Sequence, residues 1–192
     1  MQGIKKYKVT IVGITPLRQH RRPLPGDHEI KSMGGRIPTE EETQMLFENA
    51  RYWEKKIGYF QPSHQIRKAL VLSAHNYKVP GKGNTRFSKF VSSAVFIEPE
   101  VLVHKNQKDV ESIGHWTVRE DRGKQFQIWC TKSQVDNWEL DFEITNTMPE
   151  IVTDKDLKEF LEYAGMYNGI GCDRPGRGKS YGKFEVKSFK VL

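Results

Sequence analysis

Residues Trp138–Thr145, WELDFEIT, alternate apolar with mostly acidic side chains, the period of a strand with one wet face. Trp138, Leu140, Phe142 and Ile144 form its inward side. A helix is predicted over 153–167: Thr153 and Asp156 make a capping box, and Leu157, Phe160, Leu161, Ala164 and Tyr167 recur at helical spacing. A strand-type run at 181–189 closes the chain. Strand, helix and strand bury their apolar sides only against a larger sheet, so the last third of the chain requires an α+β layer whose other strands come from upstream.

Those strands are present in order. Residues 5–13, KKYKVTIVG, read as the first. Residues 17–38 form a long loop punctuated by Pro23, Pro25, Gly26, Gly34, Gly35 and Pro38, and it carries Arg18, Arg21, Arg22, Lys31 and Arg36. Loops of that length in a folded domain are usually functional. Thr39 with Glu42 opens a helix predicted over 39–56, with Met45, Leu46, Asn49, Ala50 and Trp53 on one face. Another helix begins at Pro62–Ser63. It places Ile66, Ala69, Leu70, Ser73, Ala74 and Tyr77 on its apolar side and Arg67 and Lys68 opposite. A basic glycine-containing loop over 79–89 leads to strand pieces at 90–97 and 101–104. Segments 115–118 and 126–130 read as a hairpin turning near 121–124. Without a 17–62 insertion holding one helix and a 106–135 hairpin insertion, the order is βαββαβ. The expected fold is therefore a single ferredoxin-like (RRM-like) α+β domain over 1–192.

Composition narrows the function. The longest stretch without a charge is ten residues, Tyr163–Cys172, far short of a membrane span, and the N-terminus lacks a secretory pattern. Cys130 and Cys172 stand alone without metal-ligand spacing, so neither a disulfide scaffold nor a metal site nor a cofactor is expected. An intracellular, cytoplasmic protein without a membrane partner follows as the expectation. The net charge of +7 is unevenly spread: 61–92 holds six basic residues and no acid, whereas 139–162 holds eight acids and two bases. Segregation of this kind points to an anion-binding face, or to copies stacking head to tail through opposite charges. Arg67, Lys82, Arg86 and Lys89 are the candidates in the first segment.

The most informative segment is Asn168–Phe184, NGIGCDRPGRGKSYGKF. Gly169, Gly171, Gly176, Gly178 and Gly182 permit turns whose amides can form an anion nest, and Arg174, Arg177, Lys179 and Lys183 add charge. Gly-Lys-Ser at 178–180 follows a helix and opens a strand, the reverse of a P-loop. Tyr181, and Phe87 in the other basic loop, are candidate stacking platforms for bases.

This segment resembles the glycine-rich loop of the RAMP superfamily, ferredoxin-like proteins of CRISPR effector complexes, where that loop likewise lies between the last helix and last strand. The opening KVTIVGITPL before a basic loop is similar to the start of CRISPR backbone subunits. NWELDFEIT, EYAGMYNGIGCDRPG and YGKFEV, over roughly 136–186, resemble small stand-alone backbone-like proteins of phages and mobile elements. The resemblance implies a non-enzymatic protein that binds single-stranded RNA, or single-stranded DNA, through its backbone. It further implies helical self-assembly and a place among phage or CRISPR-like subunits. It assigns anion contacts to Gly169, Gly171, Arg174, Arg177, Lys179 and Gly182, and the first basic loop adds Arg18, His20, Arg21 and Arg22. Two alternatives stand beside it. One is a metal-independent endoribonuclease in which His20 takes the 2′-hydroxyl proton and Arg21 and Arg22 stabilise the phosphorane. The other is a phage structural or assembly protein.

Overall fold

The computed structural model describes residues 3–22, 24–27 and 36–192, and of Arg119 and Asp121 the backbone alone. In chain order the elements are β1 (Lys5–Gly13), β2 (Leu17–Gln19), α1 (Glu40–Ala50), β3 (Trp53–Glu54), β4 (Gly58–Pro62), α2 (Ser63–Ala74), α3 (Phe87–Ala94), β5 (Val95–Glu98), β6 (Val101–Val103), β7 (Val110–Asp121), β8 (Lys124–Val135), β9 (Glu139–Asn146), α4 (Asp154–Tyr163) and β10 (Phe184–Val191). One antiparallel sheet runs in the order β10-β1-β9-β5. With α2 joining β1 to β5 and α4 joining β9 to β10, this is the ferredoxin-like βαββαβ arrangement.

Alternation sets the inner face of that sheet. Tyr7, Val9 and Ile11 from β1 and Leu140, Phe142 and Ile144 from β9 are buried, against Ile66, Ala69 and Leu70 of α2 and Leu157, Phe160 and Leu161 of α4. Fully burying such a side chain contributes about 1.5–3 kcal/mol. Both expected capping boxes form, Thr39 with Glu42 and Thr153 with Asp156.

Several boundaries differ from expectation. The 17–38 stretch is not all loop: β2 pairs with the end of β8, Leu17 opposite Val135 and Gln19 opposite Ser133. Pro23, His28, Lys31, Gly34 and Gly35 of that stretch lie outside the described residues. The helix expected to reach residue 56 stops at Ala50. Arg51 is extended, and Trp53 joins a short sheet of β3, β4 and β6. The 90–97 strand is helical in its first half, because Phe87, Val91 and Ala94 fall on one face and reach the core as α3. The 153–167 helix becomes a single π-type turn at Ala164–Asn168, leaving Tyr167 exposed, and the last strand starts at Phe184. The hairpin is longer than its expected strands. β7 and β8 pair over their whole lengths around Arg122–Gly123, both at positive φ (51° and 76°), a type I′ turn.

Candidate nucleic-acid interface

The β2–β8 pairing brings the start of the first insertion to the base of the hairpin. The glycine-rich segment then packs onto β2. Cys172 N–H donates to the Arg18 carbonyl (2.9 Å), Gly182 N–H to the Pro16 carbonyl (2.8 Å) and Ile170 N–H to the Gly182 carbonyl (3.0 Å). Two glycines are required by this packing. At Gly171 (φ 85°) a Cβ would lie 2.5 Å from the Arg18 carbonyl oxygen, and at Gly182 (φ 68°) it would collide with that of Ile170.

These contacts correct the expected amide nest. Gly169 N–H donates to Ala164, Gly171 N–H to the Gln65 carboxamide, and Gly182 N–H to Pro16, so the three glycines assigned as anion contacts use their amides within the protein. What the loop presents to solvent is side chains. With β2 and the first turns of α2 it encloses a cleft of about 270 Å³ lined by Arg22, Lys68, Arg174 and Arg177, by His20 and His64, and by Gln19, Tyr52 and Gln65. Among the described residues, no carboxylate lines it. Burial, then the adjacent Arg177, lowers the Arg174 pKa from its ordinary value. Arg174 keeps its charge even so, and it donates only to the Gly171 carbonyl (3.0 Å) among the described residues.

Beneath the cleft lies an ionic layer that the sequence did not reveal. Lys132 is buried, with its ammonium 2.8 Å and 2.9 Å from the Asp173 carboxylate and 3.3 Å from His115 Nε2. Burial alone would raise the Asp173 pKa, but hydrogen bonds from Lys132 and Arg18 outweigh it and hold the carboxyl below its usual range. Arg18 is consumed here. It bonds Gln134, Asp173 and the Tyr181 hydroxyl, and its guanidinium carbon sits 3.6 Å from the Tyr181 ring centroid. Arg18 and Tyr181 therefore fasten the glycine-rich loop to β2, and one face of the Tyr181 ring is covered.

His20 lies on the cleft wall, its Nδ1 3.5 Å from Cys130 Sγ. Enclosure by protein, then the Lys132 ammonium, lowers its pKa and favours the neutral ring. Burial pushes the Cys172 thiol up to about 11 and raises that of Cys130, so neither is a thiolate at neutral pH. Among the described residues, no group of three or more His, Cys, Asp and Glu is placed to hold a metal ion.

The other candidates separate. Arg21 is clamped by Asp27 through two hydrogen bonds (2.6 Å and 2.7 Å) and bonds the Arg51 carbonyl, so it is turned away from the role beside Arg22. Arg67 points to the carbonyls of Val95 and Ser92. Lys82, Arg86 and Lys89 follow the far end of α2, about 18 Å from its first residue at 1.5 Å per residue. Lys179 is exposed, outside the cleft lining, and Phe87 is in the core. Lys68, His64 and Tyr52 were missed. Lys68 and Arg67 are adjacent basic residues, and only the 100° turn per residue decides which faces the cleft.

No protein-family model and no curated protein matches the chain. Among solved structures, Type III-B Cmr-beta bound to cognate target RNA, determined by cryo-EM, aligns with a TM-score of 0.58 at 12% identity over 99% of this chain. The chain spans 61% of that protein's length. Cmr6 from Pyrococcus furiosus aligns with a TM-score of 0.47 at 9% identity, over 97% of this chain and 100% of that one. The likeness to the first is one of fold. Among the described residues, no helix is long and apolar enough to cross a membrane.

Proposed function

We propose that this protein binds single-stranded nucleic acid, RNA in preference, by seating backbone phosphates in the basic cleft without reading sequence. The observation that carries this is a cleft with four cationic side chains and, among the described residues, no carboxylate, in which burial and then the neighbouring Arg177 lower the Arg174 pKa. Uncompensated cations in a concave site are relieved by a bound anion, and a phosphate chain supplies one at every nucleotide. The fold shared with a protein described as bound to target RNA favours RNA over other polyanions. In this reading, copies bind side by side along one strand, and CRISPR-like subunits are the expected class of further partner.

A second reading keeps the cleft and adds chemistry. His20 is held neutral beside Arg22, Arg174 and Arg177, the state a general base needs, with cations near a developing phosphorane. One experiment addresses both readings. Replacing the exposed Lys68 and Arg177 together by Ala should weaken binding of a single-stranded RNA and reduce the log–log salt slope by up to about 1.4, at about 0.7 per lost phosphate contact. An unchanged slope removes the cleft from the interface. The same RNA incubated with protein in EDTA should stay intact. Cleavage there, abolished by His20→Ala, would put the endoribonuclease reading first.

A further inference from the structure

Beside the basic cleft lies a second recess of about 630 Å³ walled by Tyr52, Trp53, Phe60 and Pro62, with Leu24 at its rim. It shares Arg22, Tyr52 and His64 with the cleft, so the two adjoin. Resting on the single-strand reading, we infer that this recess is a nucleobase site, taking the unstacked base of a nucleotide whose phosphate sits in the cleft.

The recess is built rather than incidental. Gln19, 1% exposed, lines the cleft and braces both recess strands. Its Oε1 accepts the Tyr52 N–H (3.1 Å), and its Nε2 donates to the Phe60 carbonyl (2.8 Å) and to Gln61 Oε1 (3.0 Å). Phe60 N–H donates to the Tyr52 carbonyl (3.1 Å), and the two rings are tilted at 54° with centroids 5.8 Å apart. Trp53 is 39% exposed and backed by the Arg51 guanidinium, 4.6 Å from its ring centroid, a cation–π contact that fixes the indole without burying it. Flat aromatic walls match the face of a base. Glu54 and Arg22 also line the recess and supply polar groups for the edge of the base. A nucleotide carries an anion and a flat π system one sugar apart, the same juxtaposition as cleft and recess.

The test compares a labelled oligouridylate with an abasic ribose-phosphate strand of equal length, followed by fluorescence anisotropy. Wild-type protein should bind the base-bearing strand more tightly. Trp53→Ala should weaken that strand by about five- to 150-fold, the range for one stacked base, while leaving the abasic affinity and the salt slope unchanged. Trp53→Phe, which keeps a ring, should restore most of the preference. Equal binding of both strands by wild type overturns the base site and leaves the phosphate cleft standing. So does a Trp53→Ala variant that loses both strands equally or neither. Wild-type protein that binds neither strand sinks the single-strand reading itself.

Discussion

His104, just after β6, is 1% exposed and neither ring nitrogen has a hydrogen-bond partner among the described residues. Burial lowers its pKa to about 4, against about 6.5 in an unfolded chain. A folded pKa below the unfolded one means that the unfolded chain takes up the proton first. The contribution to stability is therefore full above pH ~6.5 and falls as the pH drops toward 4, by about 2 kcal/mol at pH 5. His20 and His115, also lowered by burial and then by Lys132, act in the same direction. His104→Leu should flatten the fall in thermal midpoint between pH 7 and 5 and cost little at pH 7, because no hydrogen bond is lost. A variant with wild-type pH dependence, measured by calorimetry, would show that His104 does not carry this effect. At the same scale, legibility was partial. Arg22, His20, Arg174 and Arg177 were readable as basic residues next to a strand end and in a glycine-rich loop. The diversion of Arg18 and Arg21 into ionic clamps was not, because Asp173 and Asp27 find them only after folding.

The two capped helices show how the same local motif acquires different weight. Thr153 opens α4, whose Leu157, Phe160 and Leu161 are among the most buried residues of the core. Thr39 opens α1, which buries Phe47 and Ala50. Removing a Thr cap costs about 1 kcal/mol of helix stability. In α4 that loss is coupled to the central sheet, so Thr153→Ala should lower the urea midpoint of global unfolding by about that free energy. Thr39→Ala should fray α1 and leave the global midpoint nearly unchanged. Equal shifts would place α1 in the same cooperative unit. Capping boxes and the β9 alternation were legible because their physics is local. The expected strand at 90–97 begins as helix because Phe, Val and Ala suit either element over a short run, and burial of Phe87, Val91 and Ala94 on one face, with Phe87 against Phe160 (centroids 5.2 Å), favours the helix.

Across the whole molecule, the acidic side of the charge segregation seen along the chain is partly offset in space. Glu139 pairs with Lys105 and Lys187, Asp141 with Lys105, and Asp154 with Lys5, while Asp156 caps its helix. Four of the eight acids of 139–162 are thus engaged within the molecule, which lowers the charge that a head-to-tail contact between copies could use. The protein alone is expected to sediment as one species indifferent to salt between low and physiological ionic strength, with association appearing only on RNA and growing with RNA length. Salt-dissociable oligomers without RNA would restore the charge-driven contact. The sequence by itself determined the βαββαβ order, the inward faces of β9, α2 and α4, and the site of the glycine-rich turn, because periodicity and capping act between residues a few positions apart. Tertiary structure alone decided which cations face the cleft, that the glycine amides are used inside the protein instead of on an anion, and that an aromatic recess lies beside the cleft. The cleft and the recess meet at Gln19 of β2, which is placed by the pairing of Leu17–Gln19 with Ser133–Val135, a contact across more than a hundred residues that no local pattern encodes.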